Sequence, residues 1–174
     1  GIAKNAGDEA AKYILGGGRT KIDCLMLTHL HADHADGAVR LMGRVKIGLL
    51  LLPESFADED ELFRRIISSA EKNNVKVQLV GTDTLMSFGG IDLDIYAPPE
   101  KGDKNERGLM LTAKLGGKSI LMTGDADSAA ERELLSRRDL SDTDVLIVGH
   151  HGSKHSCSQE LLSEARPQTA VISV

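Results

Sequence analysis

Three apolar runs of strand length each end in residue types that bind metal ions, and this restricts the chain to folds in which strand ends meet. Ile22–Thr28 leads into His29-Leu30-His31-Ala32-Asp33-His34, Ser119–Thr123 into Gly124-Asp125, and Val145–Val148 into Gly149-His150-His151. Largely apolar runs without strict alternation are the pattern of strands covered on both faces. In layered α/β folds, sites assemble beyond the carboxyl ends of such strands. The expectation is an α/β fold whose site draws on residues far apart in sequence.

The rest of the chain supports that class. Helical spacing runs over Asp8–Leu15 and stops at Gly16-Gly17-Gly18, which is no phosphate loop because no strand precedes it. A short helix is predicted over Gly37–Val45, a second buried strand over Ile47–Leu52, and a longer helix over Asp58–Asn74 with an acidic first turn. Short strands follow at Val75–Val80, Thr84–Phe88 and Ile91–Tyr96, the last two joined by the hairpin signal Gly89-Gly90. Pro98–Arg107 reads as a polar loop, and Leu109–Leu115 pairs with Ser119–Thr123 around Gly116-Gly117. Helices at Ser128–Arg138 and Gln159–Ala165 alternate with strands at Val145–Val148 and Ala170–Val174. No linker or low-complexity tract interrupts this order, so one mixed α/β domain over 1–174 is expected.

Composition narrows the function. At 174 residues, 41% of them hydrophobic and 27% charged, the chain reads as one soluble globular domain. No run of eighteen apolar residues occurs, so a membrane span within the chain is not expected, and Gly1–Lys21 lacks the apolar centre of a signal peptide. Two cysteines make no disulfide scaffold; Cys24 reads as core and Cys157 as a bystander. A formal charge of −5 supplies no global field for nucleic acid, so a polyanion would depend on local positive charge, for which a metal is the strongest source.

All six histidines fall in two groups, His29, His31 and His34, then His150, His151 and His155. Imidazole and carboxylate in the spacing H-x-H-x-D-H suit borderline divalent ions such as zinc or manganese. Asp127 suits the N-cap of the helix that follows it, which leaves Asp125 for another task. Other matches fail. Gly117-Lys118-Ser119 lacks the rest of a phosphate loop, and Ser153 lacks a nucleophile elbow and reads as a loop or phosphate-contacting hydroxyl. Lys154 reads as a solvated side chain.

With these elements, the chain resembles the metallo-β-lactamase fold superfamily and, more narrowly, the soluble domain of ComEC-type DNA-uptake proteins of natural competence. The residues that carry the resemblance are Leu27-Thr28-His29-Leu30-His31-Ala32-Asp33-His34-Ala35-Asp36-Gly37, Asn105-Glu106-Arg107-Gly108-Leu109-Met110-Leu111 and Thr123-Gly124-Asp125. They continue with Gly149-His150-His151-Gly152-Ser153-Lys154 and Ala170-Val171-Ile172-Ser173-Val174. The resemblance implies an αββα sandwich with a two-metal site. His29 and His31 would hold one ion, Asp33 and His34 the other, and Asp125 would bridge them. One of His150 and His151 would join the second ion while its neighbour faces substrate.

Three departures stand out. No histidine lies between the box and Asp125, where the superfamily often supplies one; Asn105, Asp103 or water would take its place. Gly108 stands where ComEC-like sequences often have serine. The family's opening strands should precede Gly1, and a further strand with a histidine-bearing loop should follow Val174, so the domain reads as cut at both ends.

The function implied is metal-dependent phosphodiester hydrolysis, with single-stranded DNA as substrate and a membrane channel region elsewhere in the same parent protein as partner. One or two divalent ions, zinc or manganese, would bind the phosphate and supply a hydroxide nucleophile that Asp33 orients. The free member of His150 and His151, or His155, would protonate the departing 3′ oxygen. Placement on the extracytoplasmic face of the bacterial membrane follows from the same resemblance. Two other readings stand beside it: a metallohydrolase of a small ester, thioester, lactam or phosphodiester, and a catalytically silent structural or regulatory domain.

Overall fold

The computed structural model describes residues 2–56, 61–97, 107–141 and 143–173. The chain divides into two compact units, Gly1–Val80 and Gly81–Val174. The family-type fold expected from the sequence is present in its element content, helices alternating with one parallel and one mixed sheet.

In the first unit, α1 (Ile2–Gly16), β1 (Lys21–Met26), α2 (Ala32–Met42), β2 (Lys46–Pro53), α3 (Glu61–Lys72) and β3 (Lys76–Val80) follow one another. The strands form a parallel sheet in the order β1-β2-β3, with Leu25 opposite Leu50 and Leu50 opposite Val77. Leu49 to Pro53 are all buried, as a central parallel strand requires. Their core is completed by Ala11 of α1, Ala35, Ala38 and Leu41 of α2, and Phe63, Ile66 and Ala70 of α3. β1 corrects an expectation. As the outer strand of its sheet it is exposed or half-buried at every position, and Cys24 is half-buried rather than core. Burial and the neighbouring Asp23 push the Cys24 thiol up to about 11.

α1 and α2 cross closely, at small residues. A methyl group on Gly7 would lie 1.9 Å from the Gly37 carbonyl oxygen, so the two backbones meet where neither helix carries a side chain. Asp8 braces the crossing from α1, taking Arg40 at 2.9 Å and Arg44 at 2.8 Å.

The second unit holds β4 (Thr84–Phe88), β5 (Ile91–Tyr96), β6 (Met110–Leu115), β7 (Lys118–Met122), α4 (Ser128–Arg137), β8 (Val145–Ile147), α5 (Gln159–Ala165) and β9 (Thr169–Val171). The sheet runs β4-β5-β6-β7-β8-β9, antiparallel as far as β7 and parallel beyond it. Both predicted hairpins form, over Gly89-Gly90 and Gly116-Gly117. Leu121, Leu146, Leu134 and Leu161 pack the two helices on the sheet. Asp144 ties the parallel half together, accepting from Lys118 Nζ at 2.6 Å and Ser119 N at 2.9 Å. Those bonds hold its carboxyl below the usual carboxylate range.

α2 begins at Ala32 rather than Gly37, so the H-x-H-x-D-H box spans a loop and the first turn of a helix. α1 begins earlier than expected as well, at Ile2. Asp58 to Asp60 of the predicted acidic turn, and Pro98 to Glu106 with Asp103 and Asn105, lie outside the described residues.

Candidate functional site

In the first unit the site residues follow β1 directly. Leu27 N still donates to Leu51 O at 3.1 Å, so the chain leaves the sheet just before the box. His29 is buried, with Leu30 beside it in the core. His31 is the N-cap of α2: its carbonyl accepts from His34 N at 3.0 Å and Ala35 N at 2.9 Å, but its side chain makes no capping bond. Histidine is a poor N-cap, where Ser, Thr, Asn or Asp would satisfy the helix end. Its presence there leaves the imidazole available for other work.

The three rings gather. His29 and His31 stand edge to face with centroids 4.9 Å apart, and His29 and His34 are 4.2 Å apart. Asp33, exposed in the first turn of α2, has Oδ2 3.5 Å from His34 Nε2. Thr28 Oγ1 lies 3.1 Å from His29 Nδ1, a partner able to fix the ring's orientation. Imidazoles this close repel once protonated, whereas neutral rings with a carboxylate make a hard-to-borderline donor set. The residues present therefore fit a divalent metal.

In the second unit the site residues follow β7 and β8, both strands ending where the sequence predicts a turn. Asp125 is buried (5% exposed), after Gly124. Asp127 takes the capping role, its Oδ1 accepting from Ala129 N at 2.8 Å and Ala130 N at 2.9 Å. His150 Nε2 lies 4.0 Å from Asp125 Oδ2, and His150 N donates to Gly124 O at 3.0 Å. The loop ends after β7 and β8, carrying Asp125 and His150, are therefore joined through backbone.

His150 and His151 both adopt left-handed backbone, with φ of 48° and 54°. Each such non-glycine residue costs about 1–2 kcal/mol, so the pair persists only where its surroundings hold it. His151 Nδ1 lies 3.1 Å from Ser173 O. A carbonyl only accepts, so Nδ1 carries the proton in this contact. His155 is exposed; its carbonyl accepts from Ser128 N and Ser128 Oγ, both at 3.0 Å, at the start of α4, and its N–H donates to Ser153 Oγ at 3.3 Å.

Gly149 is required by close approach. A methyl group there would lie 2.8 Å from Thr123 Oγ1 and 3.1 Å from Gly124 O. Gly149→Ala is expected to cost about 1–3 kcal/mol of stability and to push the histidine turn away from Asp125. Melting and zinc titration of the variant check both effects.

Sequence reasoning passed over Glu131, a fully buried carboxylate on α4 that accepts from Cys157 N at 2.6 Å and Ser158 N at 2.8 Å. A single charge in an amphipathic helix reads as solvated, so no local signal marks it.

Residues 1–174 match the family model of the Metallo-beta-lactamase superfamily. The chain is similar to ComE operon protein 3 of Bacillus subtilis, with 30% identity over 163 residues, 92% of this chain and 21% of that protein. It is similar also to Competence protein ComA of Neisseria gonorrhoeae, with 28% identity over 159 residues, 90% of this chain and 20% of that protein. The chain spans about a fifth of the length of these curated relatives. Among solved structures it is similar to the metallo-beta-lactamase fold protein YhfI from Bacillus subtilis, at a TM-score of 0.54 and 16% identity, covering 88% of this chain and 66% of that one. At that identity the likeness concerns the fold.

Proposed function

The chain belongs to the Metallo-beta-lactamase superfamily, and from that membership we propose that it is a metal-dependent phosphodiester hydrolase that cuts single-stranded DNA. The observation that carries this is the donor set: three imidazoles gathered after β1, and a buried carboxylate, Asp125, at the end of β7. The name of the Neisseria relative, Competence protein ComA, supports a role in competence.

We assign His29, His31, Asp33, His34, Asp125 and His151 as the metal ligands, over one or two divalent ions. His151 is preferred to His150 because its Nδ1–H is committed to Ser173 O, the arrangement that prepares Nε2 to bind a metal. Bound ions supply Lewis-acid charge for the phosphate oxygens and lower the pKa of an attacking water. Asp33, exposed and next to His34, orients that water through its carboxylate. His150 hands a proton to the departing 3′ oxygen, with His155 as the second candidate donor.

Residues 1–174 act as one functional domain of a longer parent protein in this reading. Its partner is a membrane channel region of that parent, and its place is the extracytoplasmic face of the membrane. Among the described residues no helix is long and apolar enough to cross a membrane, so the channel would be supplied by other parts of the parent.

A second reading, hydrolysis of a small ester, thioester, lactam or phosphodiester, draws on the shortage of stacking surface. The chain has no Trp, two Tyr and three Phe, and a net charge of −5. Substrate choice separates the two. Labelled single- and double-stranded DNA and chromogenic esters are offered with Mn²⁺ or Zn²⁺ over a salt series. DNA cleavage that weakens steeply with salt supports the nuclease; salt-insensitive cleavage confined to the small esters supports the alternative.

A further inference from the structure

Three left-handed non-glycine residues, His150, His151 and Cys157, fall within eight positions, so the loop after β8 stores strain that something must restrain. Its restraints converge on α4 and the turn just before it. Ser156 Oγ donates to Ala126 O at 2.9 Å, and Ser128 holds the His155 carbonyl. The strongest is Glu131. Both of its carboxylate oxygens accept successive backbone N–H groups, Cys157 at 2.6 Å and Ser158 at 2.8 Å. It is 0% exposed and forms no ion pair among the described residues. A buried carboxylate without a cation is costly unless its oxygens are hydrogen-bonded, so its retention there implies a task.

The task is visible one step further on. Cys157, whose N–H Glu131 holds, accepts through Sγ from Gly149 N at 3.4 Å. Gly149 immediately precedes His150, whose N–H in turn holds Gly124 O. Burial pushes the Cys157 thiol up, against the opposing effect of the Gly149 N–H, and the Glu131 charge pushes the same way as burial. The sulfur therefore stays a neutral acceptor. Ser158 also caps α5 through Oγ, which accepts from Leu161 N at 3.2 Å, so both ends of the loop are fixed at once.

We propose that Glu131 is a positioning residue: it clamps the 149–158 loop so that the imidazoles of His150 and His151 are held in their left-handed turn. Its bearing on metal binding rests on the reading that this loop supplies a ligand; the clamp itself does not.

The test compares wild type with Glu131→Gln, which keeps shape but loses one acceptor and the charge. Hydrogen exchange read by mass spectrometry is expected to speed up about tenfold or more over 149–158, with β7 and the rest of α4 little changed. Zinc affinity, measured by chelator competition, is expected to fall about ten- to a hundredfold. Exchange over 149–158 that matches wild type overturns the proposal; unchanged zinc affinity in a loop that has loosened upholds the clamp and overturns its bearing on metal binding. If Glu131→Gln fails to fold, Cys157→Ala and Cys157→Ser replace it. The alanine should loosen the loop and the serine, which keeps an acceptor for Gly149 N, should restore it; equal exchange in both overturns the proposal. A wild type that binds no zinc defeats the metal reading alone, and exchange then decides the clamp by itself.

Discussion

Asp125→Ala is expected to lower metal-dependent DNA cleavage by about a thousandfold or more, the loss that follows when several kcal/mol of charge stabilisation leave the transition state. The reason is local. Asp125 is buried at the end of β7, its Oδ2 4.0 Å from His150 Nε2, while the next carboxylate in the chain, Asp127, already serves α4. Asp127→Ala is the comparison that isolates this. It removes a cap worth about 1 kcal/mol and should leave cleavage within a few-fold of wild type. Two aspartates two positions apart thus give opposite outcomes in one assay, with melting curves as the control for folding.

The largest effect on stability is expected from Gly7→Ala, far from the histidines. The added methyl group would sit 1.9 Å from the Gly37 carbonyl oxygen, and no rotamer change relieves a clash between two helix backbones. α1 and α2 must move apart, which also disturbs Ala11, Ala35 and Ala38 and the pairs from Asp8 to Arg40 and Arg44. A cost of about 3 kcal/mol is expected, equivalent to roughly 6–12 °C in Tm for a chain of this length. Gly16→Ala is the control. Nothing lies within 4 Å of a methyl group at that position, so the substitution should be neutral or slightly stabilising. Scanning calorimetry of the two variants distinguishes close approach from helix propensity, because alanine is the better helix former at both sites.

The parts of the molecule legible in the sequence are those with a local physical signature. Thr84–Phe88, Ile91–Tyr96 and Gln159–Ala165 form with the predicted limits, since turn glycines or a serine cap punctuate them. The capping role of Asp127 was readable because an aspartate immediately before a helix has one favoured role. The start of α2 was not readable. His31, Asp33 and His34 carry no apolar stripe, so helical periodicity emerges only after the box, although the helix already begins at Ala32. The left-handed turn at His150-His151 has no local cue either, because neither residue is glycine or asparagine. That turn, and the Glu131 clamp under it, exist through tertiary contacts of a kind periodicity does not encode.

Metal-depleted protein titrated with Mn²⁺ or Zn²⁺ against a labelled single-stranded DNA tests the central claim most directly. Cleavage should be absent without metal, rise with one or two ions bound per chain, and disappear on chelation, with melting shifted upward as the ions bind. A folded chain that takes up its ions and leaves the DNA intact, at low salt and with either metal, would contradict the assignment.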